Sequence, residues 1–232
     1  MDRAPELTPR RKLVAGFELL AWPGLVVALS GDVSWVYGWV FSVWFVVLCL
    51  TCVVWLYRKD PALLAERFRR NGTGAQQGWD RYVFGALMWL IAAWFVIMPL
   101  DAKRYHWTAS WPDWARVVGA IAMAVSSFLL FRSVTDNTFL SPLVRMQGER
   151  EHRLVSTGVY GIVRHPMYLG GLLLMCGAPM FLGSGFGFAI GLLTGLTSVV
   201  RIVGEERMLV RELAGYEQYR HQVRYRLVPG IW

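Results

Sequence analysis

Long apolar segments alternate with short polar ones along the whole chain. The mostly apolar stretches cover residues 13–30, with Glu18 as a polar exception, then 35–57, 82–100, 116–135, roughly 167–182 and 186–204. A helix needs about 20 mostly apolar residues to cross the hydrocarbon core of a bilayer. The pattern therefore predicts an all-α integral membrane protein with about six transmembrane helices. The sequence LGSG joins the last two, which predicts a tight helical hairpin.

Two of the polar segments predict further helices. In the segment 58–81, Pro61 can begin a short helix at the membrane surface, and a turn rich in Gly, Asn and Gln follows it. In the C-terminal segment 205–226, apolar residues recur every three to four positions between charged ones, which is the pattern of an amphipathic helix. We expect this C-terminal helix to cover the cytoplasmic ends of the spans.

The composition agrees with a membrane protein. Hydrophobic residues make up 55% of the chain and charged residues only 17%, whereas soluble domains average about 25% charged. The 12 Trp and 9 Tyr residues fit the same class, since these side chains concentrate at the headgroup level of a bilayer. A soluble domain is therefore excluded as the class.

The positive charge is distributed on one side of the predicted topology. The formal net charge is +8, but the Lys and Arg residues lie in the segments before, between and after the spans. The segments predicted on the same side as the termini carry 21 Lys and Arg residues, and the segments predicted on the opposite side carry two, Lys103 and Arg104, while Arg116 lies at the edge of a span. The positive-inside rule then predicts that both termini are cytoplasmic. Because the topology explains the charge, we expect no nucleic-acid partner.

The three cysteines do not suggest a metal or redox site. Cys49, Cys52 and Cys176 lie inside apolar stretches without neighbouring His or acidic residues. The C-x-x-C spacing of the first two lacks the strand and helix context of a redox motif. We expect no bound metal.

Two polar clusters mark the membrane edge of the predicted hairpin. The sequence RHPMY, residues 164–168, precedes the fifth span, and Arg201, Glu205 and Glu206 end the sixth. A tight hairpin brings both clusters to the same membrane side. The clusters can be anchors at the lipid headgroups or a structural ion pair of Arg with Glu. They can also form a site, since ionisable residues at a membrane often have a function.

The residues around both clusters carry a family resemblance. The stretch HRLVSTGVYGIVRHPMYLGG, residues 152–171, together with RIVGEERML and GYEQYRHQV further on, resembles the isoprenylcysteine carboxyl methyltransferases and their bacterial relatives. These motifs cover about a third of the chain. The family consists of membrane enzymes that use S-adenosylmethionine.

The resemblance implies a cofactor pocket on the cytoplasmic side. Within a single domain of residues 1–232, residues 1–135 would form the N-terminal spans and 136–232 the cofactor-binding and catalytic part. Carried over by motif position, the S-adenosylmethionine site would contain His152, Arg153, Leu154, Val155, Tyr160, His165, Pro166, Met167, Tyr168 and Glu205. Gln147 would be a further cofactor contact, although its spacing to His152 is shorter than in the family.

The resemblance also implies catalytic roles. Arg201 would lie near the methyl acceptor and hold a carboxylate by paired hydrogen bonds. An acceptor carboxylate is already ionised and needs no base, whereas a thiol or amine must lose a proton, for which Glu205 or Glu206 is the candidate. The acceptor stays open among an isoprenylcysteine-like carboxylate, a small thiol and a lipid amine. A membrane reductase that uses NADPH is the alternative function.

Overall fold

The computed structural model describes residues 9–69 and 76–232, and it describes side chains from residue 20 onward. Within these ranges the chain is helical and contains no strand. The helices are α1 Pro9–Ser30, α2 Val36–Lys59, α3 Pro61–Arg67, α4 Asp80–Pro99, α5 Asp113–Asp136, α6 Pro166–Leu182, α7 Gly185–Glu212 and α8 Tyr216–Gln222. The π-helical segment Leu100–Tyr105 continues α4. The side chain of Glu18 lies outside the described residues.

Four of the described helices are long and apolar enough to cross a membrane. They are α2, α4 with its π-helical extension, α5 and α7. The apolar part of α1, Leu20–Ser30, and α6, with 17 residues, are shorter. Large apolar side chains such as Trp89, Ile121 and Leu196 are exposed on the long helices, which suits contact with lipid. The all-α, multi-pass membrane class is confirmed, and the count of six spans stays a prediction.

The spans pack through aromatic side chains and through glycines. Trp94 of α4 is buried against Phe41 of α2, and its Nε1 donates a hydrogen bond to the carbonyl oxygen of Met175 in α6 at 2.9 Å. At the contact of α5 with α6, a Cβ added to Gly119 would lie 2.5 Å from the carbonyl oxygen of Gly177. Small residues allow such close backbone approach in membrane bundles. The N-terminal spans thus fix the position of α6.

The connection between α6 and α7 is the tight hairpin expected from LGSG. Gly183 has a φ of +91°, which favours glycine, and the hydroxyl of Ser184 accepts a hydrogen bond from the backbone N–H of Gly187 at 2.9 Å. Asp101, fully buried at the end of α4, accepts a hydrogen bond from the Ser184 hydroxyl at 2.6 Å. The hairpin therefore directs the start of α6 and the end of α7 to the same side.

The short helix predicted after Asp60 is present as α3. It begins at Pro61, and the carboxylate of Asp60 caps it by accepting from the backbone N–H of Leu63 at 2.9 Å. The turn predicted after it falls partly on residues 70–75, which lie outside the described residues.

The C-terminal segment differs from the single amphipathic helix predicted over 205–226. Its first part continues α7 to Glu212, and the chain then turns at Gly215, whose φ is +82°. The extended residue Leu213 follows the end of α7, and Gly215 directly precedes α8 in a left-handed conformation that glycine adopts most easily. The apolar positions of this segment are instead divided between the end of α7 and α8, and α8 buries Tyr216 and Tyr219 against the end of α7.

Candidate active site

A cleft lies where α5, α6 and α7 end on one side of the bundle, and the segment 137–165 and α8 close it. The space between the atoms that line it, part of which is open to solvent, is about 730 Å³. All but one of the residues predicted to bind the cofactor line it, namely His152, Arg153, Leu154, Val155, Tyr160, His165, Pro166, Met167, Tyr168 and Glu205. The fold thus gathers motif residues that are far apart in sequence.

The hairpin brings the two polar clusters into direct contact. The hydroxyl of Tyr168, in the first turn of α6, donates a hydrogen bond to Oε2 of Glu205 at 2.8 Å. Four residues before Tyr168, Nε of Arg164 lies 2.6 Å from Oε1 of Glu206. The convergence that the hairpin predicted is therefore present, and Glu205 is the acidic residue of the pair that faces the cleft.

His152 has an unusual environment in the cleft wall. Its ring stacks on Phe139 with the ring centres 4.7 Å apart, and its buried Nδ1 has no hydrogen-bond partner among the described residues. Burial, followed by the positive charges of Arg150 and Arg145, lowers the pKa of His152 to about 4. His152 is therefore neutral at pH 7, and its Nδ1 remains available to a ligand.

Tyrosines form another part of the wall. Tyr160, Tyr216 and Tyr219 line the cleft, and the hydroxyl of Tyr219 donates to the backbone carbonyl of Tyr160 at 2.7 Å. Burial raises the pKa of Tyr160 and of Tyr219, so both hydroxyls stay protonated. The Tyr-x-x-Tyr sequence of the C-terminal segment thus contributes aromatic surface to the cleft.

Gln147 lies outside the cleft, unlike the other predicted cofactor contacts. It is fully buried, and its Nε2 donates to the carbonyl oxygen of Phe139 at 2.5 Å while its Oε1 accepts from Arg150 at 2.7 Å. Both ends of the amide are thus used within the protein. Gln147 fixes the backbone of Phe139, on which His152 stacks, and does not itself line the cleft.

Arg201 is directed away from the cleft. Its Nε and Nη2 donate to the two carboxylate oxygens of Asp80 at 2.7 and 3.3 Å, and Nη2 also donates to the carbonyl oxygen of Pro142 at 2.5 Å. This differs from the expected contact with an acceptor and from the alternative of an ion pair with Glu205. A paired grip on a second carboxylate is not available through the same nitrogens.

Glu206 is likewise fully engaged. Besides Arg164, it lies 3.2 Å from Nε2 of His165 through Oε1 and 2.7 Å from Nε of Arg226 through Oε2. A buried carboxylate with these partners holds its neighbours in place and is a poor base. Of the two acidic residues expected to be catalytic, Glu205 lines the cleft and Glu206 does not.

Several residues that support the cleft have no motif in the sequence. Asp80 is fully buried and accepts, besides Arg201, the backbone N–H of Val144 at 3.0 Å. Glu66 of α3 forms a buried ion pair with Arg145 at 2.8 Å. Burial raises the pKa of Glu66, but hydrogen bonds from Arg145 and Ser141 outweigh this effect and leave it below its usual value. The sequence feature that could have indicated a structural role for Asp80 is its position as a lone Asp at the start of an apolar span.

The family model described as phospholipid methyltransferase matches residues 114–215, which include α5, α6, α7 and most of the cleft. The Protein-S-isoprenylcysteine O-methyltransferase of Schizosaccharomyces pombe is 38% identical over 88 residues, which is 36% of this chain and 36% of that protein. The resemblance to the isoprenylcysteine carboxyl methyltransferase family is confirmed. Neither finding supports the reductase alternative.

The fold likeness to this family extends beyond the motifs. The solved structure of the eukaryotic intramembrane Ras methyltransferase ICMT (isoprenylcysteine carboxyl methyltransferase), determined without a monobody, superposes with a TM-score of 0.60 at 21% identity. The likeness covers 91% of this chain and 75% of that one. The N-terminal spans, which carry no family motif, therefore share the membrane fold of the isoprenylcysteine carboxyl methyltransferase.

Proposed function

We propose that this chain is an integral membrane methyltransferase that transfers a methyl group from S-adenosylmethionine to a lipophilic or small acceptor. The acceptor classes are an isoprenylcysteine-like carboxylate, a thiol or a lipid amine. The observation that carries the proposal is the cleft, in which Glu205 and Tyr168 lie together with Nδ1 of His152, which has no hydrogen-bond partner in the described part of the chain.

The residues of the cleft fit the chemistry of S-adenosylmethionine, which supplies a methyl group on a positively charged sulfur. Glu205 offers a carboxylate to an ammonium or ribose hydroxyl. Tyr160 and Tyr168 offer aromatic faces to a cation or an adenine ring. The neutral His152 can donate or accept a hydrogen bond through Nδ1, depending on its tautomer.

The protein's contribution to methyl transfer is orientation and exclusion of water. Tyr168 holds Oε2 of Glu205 at 2.8 Å, which leaves Oε1 of that carboxylate for a ligand. For a carboxylate acceptor, alignment of the reacting atoms is sufficient. For a thiol or amine acceptor, Glu205 is the base, because Glu206 already accepts from Arg164 and Arg226.

Arg201 takes a positioning role in this proposal. Its hydrogen bonds to Asp80 and to the carbonyl oxygen of Pro142 connect α7 to α4 and to the segment that follows α5. That segment continues to Val144 and Arg145, which line the cleft. Arg201 thus maintains the shape of the wall and acts on the acceptor through it.

The proposed sidedness follows from charge. The cleft lies at the end of the bundle that bears the Arg- and Lys-rich segments, so we place the cleft and both termini on the cytoplasmic side. The exposed apolar faces of the spans keep this end of the bundle within reach of membrane lipid.

We treat residues 1–232 as a single domain, in which 136–232 bind the cofactor.

The test is a methyl-transfer assay with the purified full chain in detergent. Labelled S-adenosylmethionine is supplied with a farnesylcysteine analogue, a small thiol or phosphatidylethanolamine, and NADPH binding is measured separately. The proposal expects label in one acceptor and a strong loss in Glu205→Gln, with Glu212→Gln, an exposed residue of the same helix, as the matched control. Binding of NADPH without methyl transfer to any acceptor class would overturn it.

A further inference from the structure

A second polar cleft lies on the outer side of α7, on the far side of Glu206 from the active-site cleft. We call it the arginine patch, and it is lined by Val203, Glu206, Arg207, Val210, Arg211, Arg220 and Arg226. The space along it, which includes open surroundings, is about 860 Å³. The proposed methyl transfer uses none of its arginines.

The arginine patch continues a lipid-facing stripe of α7. At 100° per residue, positions 196, 200, 203, 207, 210 and 211 fall within an arc of about 100°. Toward the bundle centre this arc carries Leu196 and Val200, which are 67% and 60% exposed. Toward the helix end it carries Arg207 and Arg211. One continuous face is therefore apolar along the span and cationic at its end.

The change from apolar to cationic occurs at the depth of the lipid headgroups. From Gly185 at the start of α7 to Arg207, the helix rises about 33 Å, since each residue adds about 1.5 Å. The hydrocarbon core of a bilayer is about 30 Å thick. Arg207 and Arg211 thus lie beside phosphate groups when the Gly185 end is at the opposite surface.

The charge of the patch is only partly balanced. Arg220 pairs with Glu217 at 2.6 Å and Arg226 pairs with Glu206 at 2.7 Å. Arg207 and Arg211 are exposed and form no ion pair with any acidic residue in the described part of the chain. Nε of Arg211 donates to the backbone carbonyl oxygen of Arg207 at 3.1 Å, so the two positive charges lie one turn apart. Such a pair of charges suits an anionic group with several oxygens.

We propose that the arginine patch binds an anionic phospholipid, with the phosphate between Arg207 and Arg211 and an acyl chain along Leu196 and Val200. Charge complementarity and the apolar stripe together favour a lipid over a soluble anion, because the stripe gives a soluble anion nothing to bind. This binding site goes beyond the methyl-transfer function and does not depend on it.

The test compares lipid adducts on the purified full chain by native mass spectrometry, with phosphatidylglycerol and phosphatidylcholine present in equal amounts. Wild type should retain phosphatidylglycerol in preference. Arg207→Gln/Arg211→Gln should weaken that binding about 30-fold, equal to about 2 kcal/mol for two arginines at a membrane surface. The matched control, Arg58→Gln/Lys59→Gln, removes two exposed charges at the end of α2 on the same side and should leave it unchanged.

Two further measurements test whether the site recognises charge and whether it binds a lipid rather than a free anion. Arg207→Lys/Arg211→Lys keeps both charges and should keep the preference for phosphatidylglycerol, and its loss in that variant would overturn charge-based recognition. Inorganic phosphate at millimolar concentration should not displace the lipid, and displacement would show a site for a free anion instead. Equal retention of both lipids by wild type, or equal loss in the Arg58/Lys59 control, would also overturn the proposal.

Discussion

The hydroxyl of Tyr168 lies 2.8 Å from Oε2 of Glu205, and this hydrogen bond joins the first turn of α6 to α7 beside the cleft. The two residues are 37 positions apart in sequence and meet because the hairpin returns α7 to the starting level of α6. The bond fixes the orientation of the carboxylate that we propose to bind the cofactor.

Tyr168→Phe removes this bond and keeps the ring. We expect S-adenosylmethionine binding to weaken about tenfold, because a hydrogen bond to a charged group is worth roughly 1.5 to 3 kcal/mol and part of that orients Glu205. Isothermal titration calorimetry measures the change. Tyr225→Phe, an exposed tyrosine outside the cleft lining, should bind as wild type does, and equal affinity of the Tyr168 variant would show that the bond has no part in binding.

The buried pair of Asp80 and Arg201 predicts a stability effect. Asp80→Leu leaves Arg201 buried without its carboxylate, and loss of one partner of a buried ion pair costs about 3 to 5 kcal/mol. We expect this loss in the free energy of unfolding in detergent, whereas Asp113→Leu, an exposed acidic residue in the first turn of α5, should change it little.

The double variant Asp80→Leu/Arg201→Met sharpens this prediction. Because it leaves neither charge unpaired, it should be less destabilised than the two single variants together. Purely additive losses would mean that the two side chains, 2.7 Å apart at their nearest atoms, do not depend on each other.

These two pairs also show what the sequence can and cannot predict. That Tyr168 and Glu205 lie on the same side follows from local information, since two apolar spans joined by a tight turn must return to the same side. The partner of Arg201 does not, because Asp80 is 121 residues away and the packing of α4 against α7 depends on the shape of the whole bundle. An ion pair with Glu205, at position i+4 of the same helix, was one alternative, but the side chain of Arg201 reaches Asp80 of α4.

Gln147 and the C-terminal segment differ from expectation for related reasons. The motif predicted a ligand contact for Gln147, but the segment before His152 folds so that the Gln147 amide serves Phe139 and Arg150. The apolar spacing of residues 205–226 was correct, yet spacing alone does not show that Gly215 divides the segment into two helices.

The close contact of α5 with α6 depends on Gly119. A methyl group there meets the backbone of α6 at 2.5 Å, so Gly119→Ala should lower the midpoint temperature of unfolding even though alanine favours a helix by about 1 kcal/mol. Gly171→Ala, with no atom within 4 Å of the added carbon, should keep or raise the midpoint. A Gly119→Ala variant as stable as wild type would contradict the packing.

His152 predicts a dependence of stability on pH. Its pKa is lowered to about 4 in the folded chain, against about 6.5 in an unfolded one. The unfolded state therefore binds more protons between these values, and stability should fall as the pH drops from about 6.5 toward 4.

His152→Gln should reduce this loss, measured as the difference in Tm between pH 7.5 and pH 5. The matched control is His221→Gln, since His221 is exposed, and it should retain the wild-type difference. An unchanged difference in the His152 variant would assign the pH dependence to other groups.

The most direct test of the central claim is the affinity of the purified chain for S-adenosylmethionine, measured by calorimetry for wild type, Glu205→Gln and Glu212→Gln. We predict binding by wild type, about tenfold weaker or more for Glu205→Gln because a charge-assisted hydrogen bond is lost, and unchanged affinity for Glu212→Gln. Absence of binding by folded wild type, or equal affinity of all three proteins, would contradict a cofactor site in this cleft.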